Sequence, residues 1–400
     1  MERLPPSRTT AQRTLALACA VFLAAGIMLA GLGPTLPLLA RQIGQDIAVL
    51  GGMFTAISLG IILAQFGAGR ASARFGQPVV LAAGMLLMVA GGLGVTLGPS
   101  LPALLAGALL FGIGFGGVLA AGNLLVAQLF PARSAAALNG VNLFFGVGSM
   151  VGPALAGLAG ARLGLPQAAL WAGAGLQLAL APIVLGYAAR PVAQAAASRA
   201  EHQPARPVSG WLLGLLLLIY IGTEVGFSGW LTVYMLAGGN LTPAAAALVV
   251  SGFWLALTLG RTLGALLGMR VSARRLLTLS LLGMFSGALP LVLGVGNQAI
   301  SIAGVLCLGL SCGPVFPTVL AIVATTARNS AATTSLVLAV GNGGGLIVPV
   351  LLGVLLTRYG PLAAGGLVLG AALAMLLMCV TMFHARAGRN NTVLDRAVAK

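Results

Sequence analysis

Twelve long runs of apolar residues, separated by short polar breaks, constrain this chain more than any other feature. A helix that crosses a bilayer needs about 20 apolar residues, whereas a barrel strand needs about ten with alternating polarity. These runs do not alternate, and only a helix satisfies its own backbone hydrogen bonds in hydrocarbon. The runs cover residues 14–40, 48–69, 78–97, 102–128, 137–160, 167–189, 211–236, 243–268, 276–295, 299–326, 333–357 and 362–384. The sequence therefore predicts an all-α membrane protein with twelve transmembrane helices.

Charged residues are too scarce for a surface that faces water. They make up 6% of the chain, whereas a soluble domain carries about 25%. The runs leave no room for a soluble domain, so soluble enzymes and nucleic-acid-binding proteins are excluded despite the net charge of +16. The glycine clusters lack the strand and the lysine of a phosphate-binding loop, and His202 and His384 are isolated. We expect no catalytic site, no cofactor and no metal.

Cations are distributed unequally between the two sets of connecting segments. With the N-terminus in the cytoplasm, 17 cations lie in cytoplasmic segments, and only Arg41, Arg162 and Arg358 lie on the opposite side. In short loops such a bias sets the orientation of membrane helices, with the positive side inside. We therefore predict a multi-pass protein of the bacterial cytoplasmic membrane with both termini in the cytoplasm. The first run is too long for a signal peptide and is interpreted as the first span.

A polar segment rich in proline and arginine divides the twelve runs six and six. Such a composition is typical of a linker between two bundles. The predicted organisation is a cytoplasmic tail at 1–13, a six-helix bundle at 14–189, a linker at 190–210, a second six-helix bundle at 211–384 and a cytoplasmic tail at 385–400.

The two halves match each other at a constant offset of 195 to 196 residues. Three features recur in the corresponding helix of each half: Gly69 and Gly264, Arg133 and Arg328, and Pro153 and Pro349. Parallel repeats of six helices are typical of one large class of transporters.

The segment after the second span resembles the signature of the major facilitator superfamily. The family pattern is Gly-x-Leu-x-Asp-Arg-x-Gly-Arg-Lys, and the matching segment here begins at Gly69. The glycines and the central Arg74 match, but Ala73 stands in place of the aspartate. The resemblance extends over essentially the whole chain. It implies two rocking bundles around a small-molecule substrate, and a gate at Gly69 and Arg74 that lacks its usual carboxylate. We expect a functional monomer in the lipid bilayer.

Finer similarities favour a sugar-transporting branch of that superfamily. The segment from Tyr220 to Tyr234 looks like helix 7 of the fucose-symporter-like and glucose-transporter-like members. Gly260-Arg261 resembles their helix 8, and Asn123 with the glycine before it resembles part of their helix 4. The fucose symporters carry acids in helices 1 and 4. This chain has none there, so their proton-coupling scheme does not transfer.

Glu224 is the only acidic residue inside a predicted span. It lies about 13 residues into the seventh span, about 20 Å from the cytoplasmic end and near the bilayer centre. An ionisable residue there is costly and usually faces an aqueous cavity or a partner. We expect Glu224 to bind substrate or to carry the coupling proton. The alternative is a protonated acid that packs against a neighbouring helix.

Helical spacing places further side chains around Glu224. Tyr220 shares its face, and Phe227, Trp230 and Tyr234 follow an adjacent face. Sugars stack on aromatic rings and form hydrogen bonds through their hydroxyls, so Tyr220, Phe227 and Trp230 are candidate substrate contacts. The alternative for Trp230 and Tyr234 is an interfacial aromatic belt.

Arg261 is the only cation inside a predicted span. It lies in the eighth span, about 10 Å from the cytoplasmic end. We favour snorkelling to the cytoplasm or a gate contact. The alternative is that Arg261 reaches Glu224 and neutralises it.

Side chains with polar groups in other spans are weaker candidates for substrate contact. An amide in hydrocarbon needs a partner, either another helix or a ligand. Asn123, Asn142 and Asn342 fall on spans that line the cavity in the superfamily, and Trp254 is similar. For each of these, helix packing and substrate contact both remain open.

These features together predict a secondary active transporter that moves a small solute by alternating access. A monosaccharide is the favoured substrate, and Glu224 offers a route for proton symport. The alternative is an exporter of drug-like or metabolite molecules. It is favoured by a mostly apolar cavity and by Gly148-x-x-x-Gly152-Pro153 in the fifth span, which is similar to a kinking motif frequent in exporters of the superfamily.

Overall fold

The computed structural model describes residues 8–188, 210–326 and 330–398, and the regular structure within these ranges is helical. Most of the predicted linker at 190–210 and of the tail at 1–13 lies outside the described residues. One-turn 3-10 helices at Ile47–Leu50 and Pro131–Arg133 precede α2 and α5. The α-helices are α1 (Arg8–Gln42), α2 (Gly51–Phe75), α3 (Gln77–Leu97), α4 (Leu101–Leu129), α5 (Ser134–Leu163), α6 (Ala168–Ala188), α7 (Gly210–Gly238), α8 (Pro243–Gly268), α9 (Ala273–Leu293), α10 (Gln298–Cys312), α11 (Val315–Thr326), α12 (Ser330–Asn342) and α13 (Gly344–Val398).

These helices make twelve crossings of a bilayer. Within the described residues, 11 segments are long and apolar enough to cross, and the last of them, Leu336–Phe383, has 48 residues. As one straight helix it would be about 72 Å long, more than twice the hydrocarbon thickness. Gly360 divides it, because its φ of 83° and ψ of −179° are not helical. The prediction of twelve transmembrane helices is therefore confirmed.

The tenth and eleventh crossings, each predicted as a single run, are interrupted. Gly313 and Pro314 separate α10 from α11, and the proline lacks the N–H that would continue the helical ladder. Gly343 separates α12 from α13. Their counterparts in the first half, α4 and α5, are each one continuous helix, so the internal repeat is imperfect at this level.

Neighbour relationships between helices repeat along the chain. In the first half α1 packs against α5 and α6, α2 against α4, and α3 against α4 and α6. In the second half α7 packs against α12 and α13, α8 against α10, and α9 against α10 and α13. The same order of neighbours thus recurs six crossings later, as the internal sequence repeat predicts, and gives two six-helix bundles.

Glycines let α1 and α5 approach closely. A Cβ on Gly148 would overlap the Leu23 carbonyl, and one on Gly152 would overlap the Ile27 carbonyl. The motif singled out in the fifth span for its resemblance to a kink in exporters is thus a packing contact inside the first half.

The two bundles contact each other at one side of the membrane and in the membrane interior. We call the side where α1 begins and α2 ends the terminus side, and the opposite side the far side. Toward the far side Gly33 of α1 abuts Gly229 of α7, and the Thr55 hydroxyl donates a 2.7 Å hydrogen bond to the Leu346 carbonyl. Toward the terminus side, α4 and α11 do not pack against each other within the described residues. Contacts between the halves therefore lie at the far side and in the membrane interior, where α5 packs against α8, whereas α4 and α11 do not close the terminus side.

Candidate functional site

An ion pair joins α7 to α8 inside the membrane. Arg261 Nη2 lies 3.5 Å from Glu224 Oε1, and the two side chains are 33% and 13% exposed. Of the two favoured expectations for Arg261, snorkelling is corrected, because the guanidinium turns toward the carboxylate of the neighbouring helix, and the gate contact stays a prediction. Opposite charges attract more strongly in a medium of low dielectric, and this attraction explains why the Arg261 side chain turns toward Glu224. The alternative weighed for Arg261, neutralisation of Glu224, matches the geometry.

Aromatic side chains of α7 are held inside the second half. The Tyr220 hydroxyl donates a 2.9 Å hydrogen bond to the Cys312 carbonyl, and Trp230 Nε1 donates a 2.8 Å bond to the Pro349 carbonyl. Both side chains are fully buried. In this conformation they tie α7 to α10 and α13, and their predicted contact with substrate stays a prediction.

Tyr234 and Phe227 are likewise buried, at 0% and 1% exposure. The Tyr234 hydroxyl donates to the Leu291 carbonyl of α9. The Phe227 ring packs edge to face against Tyr234 and Phe253, with centroids 5.8 and 6.1 Å apart. The aromatic-belt interpretation of Trp230 and Tyr234 is corrected, because both polar tips bond to protein backbone in the helix packing.

The amide of Asn342 joins the two halves. Its Nδ2 donates a 3.1 Å hydrogen bond to Oε1 of Gln65 on α2, and the Gln65 side chain is exposed. Asn142 instead bonds within its own helix, donating to the Leu138 carbonyl at 2.9 Å. Asn342 is thus a cross-half contact, whereas Asn142 has its donor satisfied locally.

Two candidates carry buried polar atoms without a hydrogen-bond partner among the described residues. They are Asn123 Oδ1 on α4 and Trp254 Nε1 on α8. Ser251 Oγ, one turn before Trp254, is also unpaired. Because an unpaired buried polar group is costly, these atoms are available to a ligand.

An aromatic contact crosses between the halves beside Trp254. Its ring meets Phe145 of α5 edge to face, with centroids 6.4 Å apart. Phe145 in turn stacks on Phe115 at 5.7 Å. Phe145 is not among the candidates predicted from the sequence, because its position after Phe144 gives no signal that one ring of the pair faces the other half.

The predicted gate residues lie at the terminus-side end of α2. Arg74 is exposed, and its guanidinium sits 5.2 Å from the centroid of the adjacent Phe75 ring. Gly69 has open space around its α-carbon. Gly76, the next motif glycine, has φ of 87°, which favours glycine at this turn into α3. No hydrogen bond or ion pair joins Gly69 or Arg74 to the described residues of the second half, so their gate role stays a prediction.

Comparisons with known proteins identify relatives and a shared fold. A family model described as Major Facilitator Superfamily matches residues 17–347. A probable nitrate/nitrite transporter, NarK2 of Mycobacterium tuberculosis, is 30% identical over 204 residues, covering 49% of this chain and 50% of the relative. An uncharacterized MFS-type transporter of Yersinia pestis is 29% identical over 253 residues, covering 61% and 63%. The match thus spans about half the length of the first relative.

Solved structures share the architecture along nearly the whole chain. The nucleoside transporter NupG superposes with a TM-score of 0.75 at 14% identity, covering 93% of this chain and 99% of that one. The Escherichia coli fucose:proton symporter FucP superposes with a TM-score of 0.61 at 15% identity, covering 93% and 98%. At this level of identity the likeness concerns the fold alone.

Proposed function

The chain belongs to the major facilitator superfamily, and we propose that it moves a small polar solute across the membrane as a secondary transporter. The proposed movement is alternating access, in which residues 14–189 rock against residues 211–384. The positive-inside bias supports a cytoplasmic terminus side, and the conformation described then opens toward the cytoplasm.

The Glu224–Arg261 pair carries this proposal. It is the salt bridge found among the described side chains, and it lies within α7 and α8, both of which contact the first half. A charged pair in hydrocarbon is expensive and is kept where a solute or a proton uses it. Each partner retains some exposure, and we propose that a solute entering from the terminus side reaches both.

The favoured solute is a monosaccharide. Sugar hydroxyls both donate and accept hydrogen bonds, and the site offers an acceptor in Glu224 and donors in Arg261 and Trp254. Asn123 Oδ1 and Ser251 Oγ are buried and unpaired, and each can form a hydrogen bond with a further sugar hydroxyl. The resemblance of α7 to the fucose-symporter-like branch supports the same class.

A small oxyanion such as nitrate or nitrite is the second candidate. Arg261 is the observation in its favour, since a guanidinium binds planar oxyanions through two parallel hydrogen bonds. The Mycobacterium tuberculosis relative, a probable nitrate/nitrite transporter, supports the same class of solute. For this solute Glu224 acts as a counter-ion that releases the guanidinium when the anion arrives.

Binding to the purified protein tests the proposal. Monosaccharides, nitrate and nitrite, and lipophilic cations are titrated against wild type and the E224Q/R261Q variant. Saturable sugar binding that the variant loses supports the first candidate, and saturable nitrate binding supports the second. Binding of lipophilic cations alone, unaffected by the variant, would contradict both and favour the exporter. A Trp211→Phe variant controls for fluorescence changes, because Trp211 is exposed at the start of α7.

A further inference from the structure

A groove lies between α9 and α13 at the terminus side, and neither Glu224 nor Arg261 lines it. Its volume is about 450 Å³. The residues that line it are Val271, Arg274, Arg275, Thr278, Leu279, Cys379, Val380 and Phe383. The lining therefore combines two cations with mostly apolar walls.

The cations sit at the mouth of the groove and the apolar residues sit deeper. Arg274 and Arg275 occupy the first turn of α9, and the Arg274 guanidinium lies 5.2 Å from the centroid of the Phe383 ring on α13. One turn further into the membrane, Thr278 Oγ1 lies 3.5 Å from Cys379 Sγ. Leu279, at 57% exposure, opens this deeper part toward lipid.

Among the described side chains, no acid pairs with the cations at the mouth of the groove. The first turn of α9 contains no acid, although the N-terminus of a helix itself favours anions. The salt bridge recorded among the described side chains is between Glu224 and Arg261 and involves neither arginine of the groove. The positive-inside rule explains cations in this loop, but it does not require an apolar groove beside them.

We propose that this groove binds an anionic phospholipid of the surrounding leaflet. The headgroup phosphate lies between Arg274 and Arg275, and an acyl chain follows Leu279, Val380 and Phe383 into the hydrocarbon. Basic pockets between transmembrane helices recognise such headgroups by charge, while the chain gains contact with the apolar wall. A free phosphate would use the arginines but not the wall. The site is independent of the proposed transport.

Native mass spectrometry of the full chain in detergent tests the site. The probes are phosphatidylglycerol and phosphatidylcholine with identical acyl chains. The site variant is R274Q/R275Q, and R133Q/R270Q is the matched control, because it removes two exposed arginines from the same side without touching the groove. Thermal unfolding and elution volume are compared first, so that a folding defect is recognised. R274K/R275K keeps both charges and serves as a second variant.

Wild type and R133Q/R270Q should bind phosphatidylglycerol in preference to phosphatidylcholine. R274Q/R275Q should bind it at least about tenfold more weakly, the factor that one lost charge-assisted hydrogen bond supplies. R274K/R275K should keep the preference, and L279W, which fills the groove, should weaken binding while the arginines remain. Equal affinity of R274Q/R275Q and the control would overturn the proposal. Unchanged affinity in L279W would also overturn it, because a free phosphate alone would not use the apolar wall.

Discussion

Arg261 lies 3.5 Å from Glu224 and ties α8 to α7 within the membrane. Each charge is the other's partner, so removal of one leaves an uncompensated ion in a medium of low dielectric. The pair therefore behaves as a unit, and this determines how its two residues respond to substitution.

Glu224→Gln keeps the shape of the side chain and removes its ability to exchange a proton. If the carboxylate couples transport to protons, exchange of labelled for unlabelled solute should continue while accumulation driven by a pH gradient is lost. Vesicle uptake with and without a gradient measures both. Asp46→Asn is the matched control, because Asp46 only caps the short helix before α2, accepting from the Ala48 N–H at 2.7 Å. Gradient-driven uptake at the wild-type level in Glu224→Gln would leave this residue with a packing role.

Arg261→Gln should lower the melting temperature, because the carboxylate loses its partner. The double variant E224Q/R261Q should recover much of that loss, since it removes both charges together. The coupling will be smaller than for a fully buried pair, because Arg261 is 33% exposed. Differential scanning fluorimetry of the four proteins completes the double-variant cycle. Additive shifts in melting temperature would mean that the two residues do not interact.

Asn342→Leu removes the hydrogen bond that spans the halves at Gln65. A hydrogen bond contributes about 1 kcal/mol, so the population of the conformation that opens toward the terminus side should fall about fivefold relative to its alternative. Spin-label distances across the terminus side report this population. Asn142→Leu is the matched control, because its bond lies within α5. In the absence of solute, Asn142→Leu should leave the spin-label distances unchanged. An equal shift in both variants would contradict a role of the Asn342–Gln65 bond in this equilibrium.

Gly146 and Gly148 lie on one helix but face different neighbours. A Cβ at Gly148 would overlap the Leu23 backbone in the same half, whereas one at Gly146 would overlap the Thr258 side chain in the other half. Gly148→Ala should therefore destabilise the fold by about 1–3 kcal/mol, the usual cost of overpacking. Gly146→Ala should keep the melting temperature and shift the spin-label distances instead. The reverse order of melting temperatures would count against these assignments.

Ala73→Asp restores the acid of the superfamily signature at an exposed position on α2. A carboxylate there gives the terminus side a charge with which to close against the second half, so the population that opens to the far side should rise. Accessibility of engineered cysteines from each side of the membrane measures the shift. Ala73→Asn, which adds similar bulk without charge, is the control and should not change accessibility.

Much of the architecture follows from the sequence because hydrocarbon imposes strict rules. The runs predicted the crossings, and the offset between Pro153 and Pro349 anticipated the repeated packing order. Glu224 was also identified from the sequence, because an acidic residue inside a span is rare and its insertion into hydrocarbon costs free energy. What the sequence left open depends on which neighbour lies within reach. Snorkelling and pairing are both open to a long arginine, and only the position of α7 beside α8 decides between them for Arg261.

The same limit applied to the aromatic residues of α7. A tryptophan suited to stacking on a sugar is equally suited to donating one hydrogen bond in a helix interface. Trp230 does the latter because the Pro349 carbonyl of α13 lies 2.8 Å away. That carbonyl is almost 120 residues away in sequence, and no local pattern indicates it.

The three hydrogen bonds from Tyr220, Trp230 and Tyr234 run from one helix to three others, α10, α13 and α9. They begin one turn below Glu224 and continue to the far end of α7. If a solute displaced Glu224, these bonds would move α9, α10 and α13 together with α7. The three bonds limit movement of α7 relative to α9, α10 and α13. A small movement of α7 would therefore suffice to move these helices with it.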